Sequence, residues 1–287
     1  MGESVRFEQV GDMVYRRWGP DKATGALVLC HGLASNGSRW SELAETLQRP
    51  EGWALLCPDL RGHGQSTYRG RLTSRHWIGD LVAMLDKEGL ERAIIGGHCM
   101  GANLAMRFAV EQPHRCQSLV LIEPMLPQGR RGKMHIKTAL RWLLPMLSLL
   151  ARVANQLGLH RREIPLLDLA ELDRQTRQAM HDSGSEEAMM KRYASPLPDL
   201  QYIPTAAYLQ ALTETLKRLP ALEGIQTPAL ALLSKGGLFG DPEQTRAALA
   251  TMPNVQIEWL EARHWIPTEQ PQALRESIET WLLRSVS

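Results

Sequence analysis

Cysteine is scarce in this chain. Four occur in 287 residues, and Cys30, Cys57, Cys99 and Cys116 show neither C-x-x-C spacing nor histidine pairing, which argues against a zinc site. Two of them sit inside apolar strand-like runs, where a free thiol behaves as a small hydrophobe. Long apolar runs are absent too: the best, around Leu140–Leu150, is broken by Arg141 and Pro145, so no segment reads as bilayer-spanning. The opening Met1-Gly2-Glu3-Ser4-Val5-Arg6 lacks the apolar core of a secretory signal. A cytoplasmic, reducing location is the expectation, and it would keep a reactive thiol reduced. There is no G-x-G-x-x-G or P-loop pattern, so no nucleotide is implied and no cofactor is expected. A formal net charge of +2 is too small to argue for a nucleic-acid partner.

With 44% hydrophobic and 22% charged residues, the chain can bury one large core, with or without an insertion. Apolar strands alternate with amphipathic helical stretches, as in a mostly parallel sheet wrapped by helices. The predicted strands are Ala26–Cys30, Trp53–Cys57, Ala93–Gly97, Ser118–Ile122, Ala229–Leu233 and Val255–Leu260. Helices are expected over Thr73–Glu88, Met100–Glu111 and Pro271–Leu283. From about Leu126 to Leu216 the rhythm changes to helical periodicity without a convincing strand. We therefore expect a core of residues 1–125 and 217–287, with a helical cap over 126–216. In open parallel sheets ligands bind beyond the carboxyl ends of the strands, which is where such a cap would lie.

Gly97-His98-Cys99-Met100-Gly101 follows a buried strand and opens a helix. That context makes it a G-x-S-x-G nucleophile elbow with cysteine in the serine position. A turn this tight strains its central residue and needs small neighbours. A helix N-terminus also favours an ionised thiol there.

On these residues the chain resembles the α/β-hydrolase superfamily, over Ala26–Pro124 and Ala229–Leu283. The resemblance implies the α/β-hydrolase fold: a mostly parallel, twisted sheet flanked by helices. It places the helical cap after the strand that follows the nucleophile helix. His31-Gly32 resembles the family's HG turn, implying an oxyanion hole made by the N–H groups of Leu33 and Met100, each worth about 3 kcal/mol. Asp59-Leu60-Arg61-Gly62-His63-Gly64-Gln65-Ser66 resembles a loop that we read as structural, with His63 a packing residue. Arg263-His264-Trp265-Ile266-Pro267-Thr268-Glu269 resembles the loop carrying the catalytic base, which implies that His264 is that base, histidine being the side chain whose unperturbed pKa lies near neutrality.

The acid departs from the usual pattern. Where the family places its aspartate, this chain has Gly237. Asp241 is the alternative acid, but Asp241-Pro242-Glu243 also reads as a helix N-cap with proline at the first helical position. Glu123, ending its strand as in haloalkane dehalogenases, is the preferred partner of His264. Cysteine nucleophiles resemble those of dienelactone hydrolases, polyhydroxyalkanoate synthases and some thioesterase domains. The implied activity is hydrolysis of carboxylic esters or thioesters through acyl-Cys99. Acyl transfer through the same intermediate, and a catalytically inactive binding protein, stay open as alternatives.

From Arg130 to Arg162 the chain carries Arg130, Arg131, Lys133, Lys137, Arg141, Arg152, Arg161 and Arg162 and no acidic residue, around a leucine-rich body. Three readings follow. The apolar side packs onto the active site beneath a solvated basic face; or it binds the acyl group, Trp142 and Leu143 included, of a lipid-like or acyl-CoA substrate; or the helix makes a peripheral membrane contact.

Overall fold

The computed structural model describes residues 4–128, 141–183, 196–237 and 240–286. Arg130, Arg131, Lys133 and Lys137 lie outside that set. The eight strands are β1 (Arg6–Val10), β2 (Met13–Trp18), β3 (Gly25–Cys30), β4 (Trp53–Pro58), β5 (Ala93–His98), β6 (Cys116–Ile122), β7 (Ala229–Ser234) and β8 (Val255–Leu260). They form one sheet in the order β1-β2-β4-β3-β5-β6-β7-β8. Pairing is parallel from β4 to β8 and antiparallel only where β1 and β2 join the edge. This is the mostly parallel sheet that the residue pattern predicts, and the architecture that the resemblance implies.

Sequence and layer agree for a physical reason. Every residue of β3, β4, β5 and β7 is buried, because helices cover both faces of a parallel sheet and leave no polar side. The β1–β2 hairpin, by contrast, shows alternating exposure along β1. It has no continuous apolar run for a sequence reading to find.

Around the sheet lie α1 (Ser41–Thr46), α2 (Ser74–Lys87) and α3 (Met100–Glu111). Between β6 and β7 come α4 (Leu144–Gln156), α5 (Leu169–Ser183) and α6 (Thr205–Leu216), with no strand among the described residues there. The chain closes with α7 (Pro242–Leu249), α8 (Ile266–Glu269) and α9 (Pro271–Val286).

The helices between β6 and β7 are fastened mainly by side chains. The buried Arg39 pairs with the equally buried Asp173 of α5 and also donates to Thr268 Oγ1, 2.7 Å away. Arg177 of α5 forks onto both oxygens of Glu42 at 2.7 Å. Gln210 of α6 accepts from the Leu72 N–H at 2.8 Å and donates to the Gly70 carbonyl at 3.1 Å.

Candidate active site

Sheet register assembles the site. β5 and β6 pair His98 with Ile122, and β6 and β7 pair Ile122 with Leu232. Cys99, Glu123 and the turn after Ser234 therefore emerge side by side at one end of the sheet.

Cys99 stands between β5 and α3 at φ 54° and ψ −107°, a conformation that costs about 1–3 kcal/mol and persists only when its surroundings enforce it. Its N–H donates to the Ile122 carbonyl at 2.9 Å. The flanking glycines are required by crowding: a Cβ on Gly97 or on Gly101 would collide with the Cys30 carbonyl oxygen. The N–H groups of Leu33 and Met100 have no protein acceptor among the described residues. Met100 opens α3 directly after Cys99, and Leu33 stands directly before Ala34, whose φ is 54°.

Glu123, also at positive φ (48°), ends β6. Its Oε2 accepts from His264 Nδ1 at 3.0 Å, and its Oε1 accepts from the Ser234 N–H at 2.5 Å. With Nδ1 donating to the carboxylate, Nε2 of the imidazole is left for the thiol. Burial lowers the pKa of His264, but hydrogen bonds to Cys99 and Glu123, reinforced by their charges, outweigh that and raise it to about 10. Asp241 is used differently: its Oδ1 caps α7, accepting from the Gln244 N–H at 3.1 Å. Gly237 has φ +55°, and a Cβ there would lie 2.6 Å from Pro242 Cδ. A side chain at the family's usual acid position is sterically shut out.

Two further residues hold the His264 loop and were not singled out from sequence for that work. Glu269 Oε1 accepts from the N–H groups of His264 (3.1 Å) and Trp265 (2.8 Å), and Oε2 from that of Arg263 (2.8 Å). His98 Nε2 lies 2.9 Å from the His264 carbonyl oxygen and must be the donor. Burial holds its pKa well below the usual value, so it stays neutral and keeps one fixed N–H. A polar residue three past the α8 start, and a histidine inside the elbow motif, were the available signals.

The loop beginning at Asp59 is structural. Asp59 accepts from the Gly37 N–H at 2.7 Å and the Gln65 N–H at 2.8 Å and pairs with Arg16. His63 is buried between the rings of His31 and Trp77, and burial lowers its pKa to about 3.

On its other side Cys99, 9% exposed, packs in a cluster with Met125, Ile203, Ala207, Tyr208 and Leu212. Beyond Leu216 of the same cluster opens a cleft of about 920 Å³, with Leu126, Arg141, Trp142, Lys217 and Arg218 among its walls. Of the leucine-rich segment, Leu144 packs against this cluster, whereas Trp142 is 69% exposed and Ser148 is the buried residue of α4. Among the described residues no cluster of His, Cys, Asp and Glu could hold a metal ion.

A family model described as alpha/beta hydrolase fold matches residues 25–267. The chain is 34% identical over 113 residues to lipase LipV of Mycobacterium tuberculosis, a stretch covering 39% of this chain and 42% of that lipase. It is 22% identical over 268 residues to the sn-1-specific diacylglycerol lipase ABHD11 of Mus musculus, covering 91% of this chain and 82% of that protein. A solved structure of a thermophilic esterase from Thermogutta terrifontis aligns over 96% of this chain and 94% of its own, with a TM-score of 0.64 at 19% identity; that likeness bears on the fold alone.

Proposed function

Because the chain belongs to the α/β-hydrolase fold family, we propose that it is an ester-hydrolysing enzyme working through a covalent acyl-Cys99 intermediate. One observation carries this reading: a buried imidazole is held between a carboxylate, 3.0 Å from Nδ1, and a thiol at a strained helix start.

The steps follow from the geometry. His264 takes the Cys99 proton as sulfur attacks the acyl carbonyl carbon. The hydrogen bond to Cys99 and the Glu123 carboxylate both favour the imidazolium form of His264, so the thiol proton passes to the imidazole as a thiolate–imidazolium pair. The oxyanion is received by the N–H groups of Leu33 and Met100, which have no protein acceptor among the described residues. Collapse of the tetrahedral adduct breaks the carbonyl–oxygen or carbonyl–sulfur bond, and His264 returns the proton to the leaving group. A water deprotonated by His264 then cleaves the thioester. Glu123 fixes the tautomer and stabilises the imidazolium. Tyr208, Leu212 and Ala207 beside Cys99 suit an apolar acyl group, and each buried methylene adds about 0.8 kcal/mol.

The test is rapid-quench mass spectrometry with 4-nitrophenyl octanoate. An octanoyl increment on the peptide containing Cys99, absent in Cys99→Ala, is expected. Unchanged turnover in Cys99→Ala overturns the reading. Adding alcohols or amines to the same assay separates hydrolysis from acyl transfer by the product formed.

A further inference from the structure

α4 is amphipathic in the inverted sense. Trp142, Met146, Leu149, Leu150, Val153 and Leu157 recur at steps of about three or four residues, which puts them on one stripe of a helix. All six are 44% to 71% exposed. At its start the helix packs Leu144 against the Cys99 cluster; from Met146 on, the side chains turned toward the protein are small or polar, with Ser148 buried and Arg152 Nε and Asn155 Nδ2 buried atoms. Beyond Leu144, folding has thus left the apolar face in solvent, at a cost that a bare surface does not recover.

We propose that this stripe is a docking surface for an anionic lipid bilayer, lying in the headgroup boundary with its axis along the membrane plane. Charge identifies the occupant. Residues 141–162 contain no acidic side chain, and the exposed Arg141, Arg161 and Arg162 stand at the two ends of the stripe. Arg161 is fixed there by the carbonyls of Leu200, Gln201 and Ile203. Arginines rimming an apolar strip match anionic headgroups above acyl chains. A second copy is the poorer occupant, since stripe-on-stripe pairing would bring two arginine rims together. α4 is 13 residues long, about 20 Å at 1.5 Å per residue, so it lies on a bilayer rather than across one. Among the described residues no helix is long and apolar enough to cross a membrane. The proposal is independent of the chemistry at Cys99.

The experiment is flotation of the full chain with vesicles of phosphatidylcholine alone or with phosphatidylglycerol, in parallel with Cys99→Ala so that turnover plays no part. We expect binding to the anionic vesicles, several-fold weaker on the neutral ones and weakened by salt. The surface variant Met146→Ser/Leu150→Ser/Val153→Ser should bind at least about tenfold less while keeping its circular dichroism and Tm. Arg141→Glu/Arg162→Glu should lose the preference for anionic lipid. Absence of binding, or equal binding by the serine variant, overturns the proposal. So does a concentration-dependent dimer that the serine variant abolishes while vesicles are ignored, which would assign the stripe to a second copy.

Discussion

The end of the sheet and the helices above it are held by different means. At the sheet, main chain fixes the nucleophile and the acid, with Cys99 N–H on the Ile122 carbonyl and Glu123 N–H on the Leu232 carbonyl; the His264 loop alone rests on a side chain, Glu269. Above it, α5 and α6 are attached largely through Arg39, Arg177 and Gln210 side chains. Backbone positions survive most substitutions, whereas a side-chain fastening changes with each one. Bond-breaking should therefore depend on the lower region and acyl preference on the upper.

The sharpest break of that division is Cys99→Ala. We expect hydrolysis to fall by at least about four orders of magnitude for every chain length, with Tm nearly unchanged; a fall confined to long chains would erase the distinction. Glu123→Gln comes next. Loss of the triad acid costs about four orders of magnitude in serine enzymes, and we expect about two to three here because a thiol leans less on its base. The loss should again be uniform across acyl lengths in kcat assays.

The same carboxylate gives a pH signature. The folded pKa of His264 is raised to about 10, against about 6.5 unfolded. The stabilisation from its partners is thus fully present below pH 6.5 and lost as pH rises through 10. Urea denaturation should show Glu123→Gln most destabilised relative to the parent near pH 6 and converging on it toward pH 10. A gap that widens with pH contradicts the pairing.

In the upper region, Leu212→Ala should lower kcat/KM for octanoyl esters about tenfold, two or three methylene equivalents of lost packing, and leave acetyl esters within about twofold. Equal losses on both would place Leu212 with the catalytic groups instead. The smallest effect is expected of Asp241→Asn: about 1 kcal/mol or less of stability by thermal melting, from the α7 cap, with kcat within about twofold. A loss of activity comparable to that of Glu123→Gln would transfer the acid role.

How far the sequence could be read follows the same division. The elbow was legible because its glycines answer a local collision with Cys30, and the β3–β7 strands because burial on both faces leaves unbroken apolar runs. The β1–β2 hairpin hid behind exposed alternation. The stripe on α4 was visible as a pattern, but its outward direction was not, since periodicity records that one face is apolar and not which neighbour it meets. The work of His98 was out of reach, because it acts on the main chain of a loop 166 residues away, whereas Glu269 holds N–H groups four to six residues before it and stood inside the quoted motif.

The crowding at Gly237 has a bearing on ancestry. With Pro242 standing 2.6 Å from where a Cβ would be, a lone glycine-to-aspartate change there meets a ring rather than an imidazole. Removing the proline alone only weakens the start of a helix. Clearing the ring still leaves the Gly240 carbonyl oxygen 2.8 Å from that Cβ, so moving the carboxylate from Glu123 to this turn takes several coordinated changes, each unrewarded by itself. The turn behaves as a ratchet, and descendants of this chain should keep the glutamate long after their substrates have diverged.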